Sequence, residues 1–201
     1  MTRRFIVLIA LALLAGCAAR APAPTGSAER GPWQDQVDRL EALSSWTLAG
    51  KVGLRTPDEN TSANLDWRQR PHYYRLLISG PFGAGRTTLE GTAQEVTLTN
   101  GEGRLSANSA EALLEQALGW SLPVSSLDHW IRGLPAPEGN VEREVDALGY
   151  PTRLIQSGWT IDYGGWMPAG DLWLPRRLDM QRPGIEATLL ITIWQPETER
   201  D

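Results

Sequence analysis

One cysteine, one lysine and two histidines among 201 residues remove much of the usual chemistry before any motif is sought. A single cysteine cannot close a disulfide within the chain, so stability has to come from packing, and a Cys-based metal site is excluded as well. No Gly-x-Ser-x-Gly elbow, His-Glu-x-x-His pair or Gly-x-x-x-x-Gly-Lys-Ser/Thr loop occurs, which argues against nucleophilic hydrolysis, zinc proteolysis and nucleotide-driven work. The lone lysine, Lys51, sits in Leu48-Ala49-Gly50-Lys51-Val52-Gly53, inside a strand pattern. His72 follows Pro71 and His129 stands between Asp128 and Trp130; isolated histidines of this kind are structural or solvated more often than catalytic. The acids between Glu142 and Asp146 lack carboxylate-plus-histidine metal spacing and read as a solvated face. The sequence thus predicts no enzyme: no catalytic residue, no metal and no cofactor.

Acid is also missing before Glu29. Arg3 and Arg4 precede an apolar run over residues 5–15, then Leu14-Ala15-Gly16-Cys17. A charged start, a short apolar stretch and small residues at a cleavage site describe a secretory signal, too short to span a bilayer. Residues 1–16 are expected to be removed. The Leu-Ala-Gly-Cys ending resembles the lipobox of bacterial lipoproteins, which implies that Cys17 becomes the acylated first residue. A diacylglyceryl plus an N-acyl group would anchor the protein stably, where one chain would not. Ala18 and Ala19 follow, without the aspartate that retains many Gram-negative lipoproteins in the inner membrane. The expected location is the outer membrane, lipid-anchored, on its periplasmic face.

Loss of Arg3 and Arg4 with the leader takes the formal net charge from −5 to −7, which argues against a nucleic-acid partner and against polybasic lipid binding. Residues 17–31 are small, polar or proline and read as the lipidated Cys17 with a flexible tether. Residues 32–201 are long enough for one domain with its own core.

In that domain Trp33, Val37, Leu40 and Leu43 fall at helical spacing, predicting a helix over 32–44. Strict alternation follows in Trp46/Leu48/Val52/Leu54, Ala63/Leu65/Trp67, Tyr74/Leu76/Ile78 and Val96/Leu98, the pattern of half-buried antiparallel strands in a meander. Asn108 with Glu111 predicts a capped helix with an apolar stripe from Ala110 to Leu118, and a second helix is expected over 126–132. Strands resume at 153–156, 159–163, 176–181 and 185–194, the last two joined by Arg182-Pro183-Gly184. The fold class is mainly β with helices (α+β), a strongly curved antiparallel sheet with helices over its concave side. Nine tryptophans fit either a solid core or an apolar ligand pocket.

Phe82 is the only phenylalanine beyond the leader, and it stands in a turn, Gly80-Pro81-Phe82-Gly83-Ala84-Gly85, where polar residues are usual. That turn, together with Trp46-Thr47-Leu48-Ala49-Gly50-Lys51, Tyr74 to Ile78, Gly119 to Leu127, Trp130 to Pro135, Trp159 and Tyr163-Gly164-Gly165, resembles the LolB family of outer-membrane lipoprotein receptors, of the LolA/LolB-like lipoprotein localization group. The resemblance implies a half-open β-barrel of about eleven strands with a helical lid over an apolar cavity. It implies a monomer that accepts acylated lipoprotein cargo from a LolA-type periplasmic carrier and inserts it into the inner leaflet of the outer membrane. The family's protruding apolar turn residue corresponds to Phe82, flanked by Pro81 and Gly83, as a membrane-insertion loop contacting outer-membrane lipid. Candidate acyl-cavity residues are Trp46, Leu48, Val52, Leu65, Trp67, Leu76, Ile78 and Trp159. Two other classes fit the same pattern: a periplasmic lipoprotein binding free lipid or another hydrophobic ligand, and a structural envelope lipoprotein.

Overall fold

The structure is a computed structural model that describes residues 29–80, 83, 85–92, 94–118 and 121–197. The leader, Cys17, most of the tether, and Pro81 with Phe82 lie outside the described residues.

Among the described residues thirteen strands form two sheets. They are β1 (Trp46–Arg55), β2 (Asn60–Arg70), β3 (Tyr73–Ser79), β4 (Thr87–Thr92), β5 (Val96–Asn100), β6 (Gly103–Ala107), β7 (Val141–Val145), β8 (Pro151–Gln156), β9 (Trp159–Tyr163), β10 (Trp166–Ala169), β11 (Leu172–Pro175), β12 (Arg177–Arg182) and β13 (Ile185–Pro196). Eleven of them pair antiparallel in the order β6-β5-β4-β3-β2-β1-β13-β12-β9-β8-β7, and β10 and β11 make a separate hairpin. The large sheet does not close, because β6 and β7 do not pair. This is the half-open arrangement expected from the sequence.

Register explains why one face is buried. Trp194 opposes Leu48, which opposes Trp67, and the row continues through Leu76, Leu89 and Leu98 to Leu105. Side chains alternate faces along a strand, so one cross-strand row places seven apolar side chains on the same side of seven strands. Only Leu105, on the free edge, is substantially exposed, at 40%.

Among the described residues the α-helices are α1 (Val37–Ala42), α2 (Ala110–Leu118) and α3 (Val124–Trp130), of which α2 packs on β5 and β6 and α3 on α2. The helix expected over 32–44 is divided into a 3₁₀ turn, Trp33–Asp35, and the shorter α1. At the break the Gln36 amide donates to the Trp173 carbonyl at 3.0 Å and accepts from the Trp173 N–H at 2.8 Å, fixing the chain against β11. The cap of α2 is Ser109 rather than Asn108: its hydroxyl accepts from the Ala112 N–H at 3.1 Å. Strands β4, β6, β7, β10 and β11 gave no clear alternation in sequence. Of the 142–146 acids read as a solvated face, Glu142 and Glu144 lie on β7, an edge strand with every residue exposed, whereas Asp146 is half-buried, ion-paired with Arg30 and bonded to the Leu148 and Tyr150 N–H groups.

A bulge shapes the centre of the sheet. Ala49 pairs with Ile193 and Gly50 with Ile191, so Thr192 is left over, and its hydroxyl donates to the Ala49 carbonyl at 3.1 Å. The two backbones are so close there that a Cβ on Gly50 would lie 2.2 Å from the Leu190 carbonyl oxygen. Gly50→Ala is therefore expected to cost about 1–3 kcal/mol, as overpacking does. Urea unfolding measures it; an unchanged midpoint would mean that the bulge relaxes without cost.

Candidate functional site

The two lid helices meet the sheet around a pocket of about 260 Å³. Trp67, Gln69, Tyr74 and Val96 form its floor; Ser109, Ala110 and Glu111 at the start of α2 and Val124, Ser125 and Asp128 of α3 form its roof. Tyr74 lies flat over Gly91 on the next strand, where a Cβ would meet the ring at 2.2 Å. Burial, and then the negative charge of Glu111, push the Tyr74 phenol up to about 12. It stays protonated at physiological pH.

Polar ties hold this roof in place. Glu111 Oε1 accepts from both the Ser125 N–H at 3.1 Å and the Ser125 hydroxyl at 3.0 Å, joining the first turn of α2 to the first turn of α3. Arg132, just beyond α3, is buried and donates to the carbonyls of Leu40 at 2.7 Å and Leu43 at 3.3 Å. It also donates to the Asp128 carbonyl at 3.0 Å and to Asp128 Oδ2 at 3.1 Å. One guanidinium thus fastens α3 to the end of α1. Gln156 does the same on the other side: it accepts from Trp130 Nε1 and the Ala136 N–H and donates to the carbonyls of Ala136 and Glu138, at 2.7–2.9 Å. The Tyr163 hydroxyl adds a bond to the Trp130 carbonyl at 3.0 Å.

Two atoms in this region have no partner. Trp46 Nε1 and Asp128 Oδ1 are buried without a hydrogen bond. An unmet buried polar group costs about 1–3 kcal/mol.

The eight candidate cavity residues all lie in or against the core on the concave face, but the pocket brings in only Trp67. Trp46 is fully buried, tilted against Trp67 at 5.1 Å between ring centres and edge-on to Trp194 at 5.2 Å. Leu48, Leu65 and Leu76 are buried beside them, and Val52 and Ile78 are half-buried toward the opposite end of the strands. Trp159 is buried 6.3 Å from Trp130, with the Arg182 guanidinium 5.1 Å from its ring centre. Sequence reasoning did not find Tyr74, Glu111, Ser125, Asp128 or Arg132 as site residues. Only the Glu111 spacing hinted at a helix start, and its partner lies fourteen residues on, across a helix connection.

At the far end of β3, Gly83 (φ +79°) and Gly85 (φ +59°) are exposed, and the Gly83 N–H donates to the Gly80 carbonyl at 3.1 Å. A Cβ at either glycine would meet nothing, so the backbone conformation, not space, calls for glycine there. Turns β1–β2 and β12–β13 lie at this same end of the sheet. His72 is exposed. His129 is half-buried, and burial followed by the Arg132 charge lowers its pKa. No group of three metal-ligating side chains occurs among the described residues.

Comparison with known proteins gives the fold its context. The family model described as "Outer membrane lipoprotein LolB" matches residues 44–194. The chain is 58% identical to the Outer-membrane lipoprotein LolB of Chromohalobacter salexigens over 193 residues, covering 96% of this chain and 90% of that protein. It is 43% identical to the protein of the same name from Pseudomonas paraeruginosa, covering 96% of each. Among solved structures, a LolA superfamily protein from Nitrosomonas europaea superposes with a TM-score of 0.52 at 9% identity, covering 85% of this chain and 96% of that one. A DUF1329 family protein from Desulfovibrio piger gives 0.56 at 7%, covering 86% and 96%. These two structural likenesses concern the fold alone.

Removing the tie between the lid helices tests its role. Glu111→Ala should lower stability by about 1 kcal/mol, the net worth of a charge-assisted bond at a partly solvated site. It should also speed amide exchange at the start of α3, whereas Glu111→Gln, which keeps an acceptor, should retain most of the protection. Equal exchange in all three proteins would show that the lid does not depend on this contact.

Proposed function

The chain belongs to the outer membrane lipoprotein LolB family, and from that premise we propose that it is a lipid-anchored receptor that takes acylated lipoproteins from a LolA-type periplasmic carrier and passes them into the inner leaflet of the outer membrane. In this reading residues 1–16 are the removed signal, Cys17 carries the lipid, and residues 17–31 are the tether that lets the half-barrel of residues 32–201 work close to the bilayer.

The observation that carries the reading is the roofed apolar face: one unbroken cross-strand row of Trp and Leu side chains, covered by helices that are joined to one another by polar ties. Such a face suits hydrocarbon. Acyl chains would lie between the lid and the row from Leu48 through Trp67 to Leu76, with Trp46, Leu65, Val52, Ile78 and Trp159 around them. Because most of these residues pack against each other, the lid has to part from the sheet for cargo to enter. No nucleotide is needed if the interior holds acyl chains better than the carrier and the membrane holds them better still.

Phe82 is assigned as the residue that enters lipid. The position of Gly83 and Gly85 beyond the end of β3 supports this assignment, and burying a phenylalanine side chain at an interface is worth about 1.5–3 kcal/mol. A carboxylate there would forfeit that gain and add a desolvation cost.

Phe82→Glu is therefore expected to melt close to wild type and to accept lipoprotein from the carrier, yet to release it poorly into liposomes. A clear drop in melting temperature together with loss of both acceptance and release would make Phe82 a core residue instead; a stable variant with full release would end the insertion assignment. Cys17→Ala should give a folded protein in the soluble periplasmic fraction, seen by fractionation and circular dichroism, with delivery less selective for the outer membrane. Binding of free lipid without any transfer from the carrier would favour a lipid-binding lipoprotein over a receptor.

A further inference from the structure

A second cavity, of about 380 Å³, lies away from the lid and shares no lining residue with the lid pocket. It exists because two strands part. Strand β12 pairs with β13 only as far as Arg177 opposite Leu190, while β13 continues to Pro196, and β10 packs beside it where β12 has left. The Arg176 backbone bridges the junction, its N–H donating to the Gly165 carbonyl and its carbonyl accepting from the Ile191 N–H, both at 2.8 Å. The Thr192 bulge falls at the same place. Bulges commonly re-aim side chains beside functional sites.

The lining is apolar apart from two residues. Trp166, Met167, Pro168 and Leu190 supply hydrocarbon, aromatic and thioether surface, while Ile191 is buried in the core beneath the groove. Thr192 spends its hydroxyl proton on the Ala49 carbonyl. The remaining polar group is the Arg176 guanidinium, and no carboxylate lines the cavity. Its neighbour in sequence is clamped: Arg177 holds Asp179 at 2.7 Å. Arg176 is exposed and forms no ion pair with the described residues.

We propose that this groove binds an anionic amphiphile, its charged head on Arg176 and its hydrocarbon arm along Trp166, Met167, Pro168 and Leu190. The volume falls in the range of small-molecule sites, which are mostly apolar with a few polar groups that set orientation. A guanidinium offers five N–H donors in a planar fork matched to carboxylate or phosphate oxygens. A cationic head would meet an uncompensated positive charge, and a neutral head would make only neutral hydrogen bonds. Trp and Met suit a hydrocarbon arm of no fixed shape, the thioether being flexible and polarizable. The site is independent of cargo transfer, so either can fail without the other.

Methionine provides a direct reporter. The chain has three, Met1, Met167 and Met180, of which Met167 lines the groove and Met180 is buried in the core. The full chain carrying Cys17→Ala, so that no attached acyl group competes, is labelled with ¹³C at the methionine methyls and titrated below the micelle concentration with decyl phosphate, decyl maltoside and decyltrimethylammonium. Decyl phosphate is expected to shift the Met167 methyl and leave Met180 in place, half-saturating at a concentration about tenfold below that of the maltoside, the usual margin of a charge-assisted over a neutral hydrogen bond. Arg176→Gln should abolish that margin, and Arg176→Glu should transfer the preference to decyltrimethylammonium; the Met180 resonance verifies the fold of both. Decanoate at the same chain length then tells a carboxylate source from a phosphate one. No Met167 shift with any probe, equal response to the three heads, or an undiminished margin in Arg176→Gln would overturn the proposal.

Discussion

An open sheet with one continuous apolar face cannot leave that face in water. Everything else in this fold follows from covering it. Burial of apolar area contributes roughly 25 cal/mol per Å², and the seven-residue row from Trp194 to Leu105 is only one of several such rows. The three α-helices among the described residues are short, and helices of six to nine residues do not hold their place by intrinsic propensity. Side-chain bonds to backbone carbonyls fix them instead. Arg132 is the central one: buried, it brings four bonds to Leu40, Leu43 and Asp128, so the cost of burying its charge is offset by satisfied donors rather than by one ion pair. Gln156 and Tyr163 complete the attachment around Trp130.

Leaving the sheet open creates the opposite problem, since free strand edges invite pairing with other chains. Strand β7 manages this with Glu142, Arg143 and Glu144 in its middle, every residue exposed. Strand β6 is short and begins with Gly103 and Arg104. Leu105 nevertheless lies opposite Leu98 on the concave face of β6, and on β7 Val141, Arg143 and Val145 share one side, with Arg143 directly opposite Leu154. An inward-pointing charge in the middle of an edge strand disfavours pairing with a further strand, at this edge or on a neighbour.

Where alternation was strict, the fold was legible in the sequence. Trp46 to Leu54, Ala63 to Trp67 and Tyr74 to Ile78 are strands because period-two patterning has no competing explanation over that length. Strand β4 was not legible: Gly91 occupies an inward position, and what fills the space is the Tyr74 ring from the next strand, a pairing that no local window contains. The edge strands β6 and β7 lack an apolar face because they barely have a buried one. Of the pocket's lining only Trp67 was legible as a site residue, and the polar ties left no sign in the sequence. Glu111 to Ser125 and Arg132 to Leu40 join segments fourteen and ninety-two residues apart, and single side chains that bond to backbone leave no periodic trace.

The lid is fastened unevenly, and that bears on how such a receptor would work. On one side α3 is tied by Arg132, Gln156 and Tyr163 to α1 and to strands β8 and β9. Between α2 and α3, the tie over the pocket is one partly solvated carboxylate, Glu111, and the pocket's other carboxylate, Asp128, has one buried oxygen without a partner. Local opening is drawn from the least stable contacts of a fold, so α2 should part from the sheet before α3 does. Under the proposed reading this sets the affinity as well as the route. A lid that is closed when empty reduces the apparent affinity for acyl chains by the fraction of open molecules. A membrane imposes no such cost, and a receptor that returns to a filled core on losing its cargo therefore favours delivery over retention.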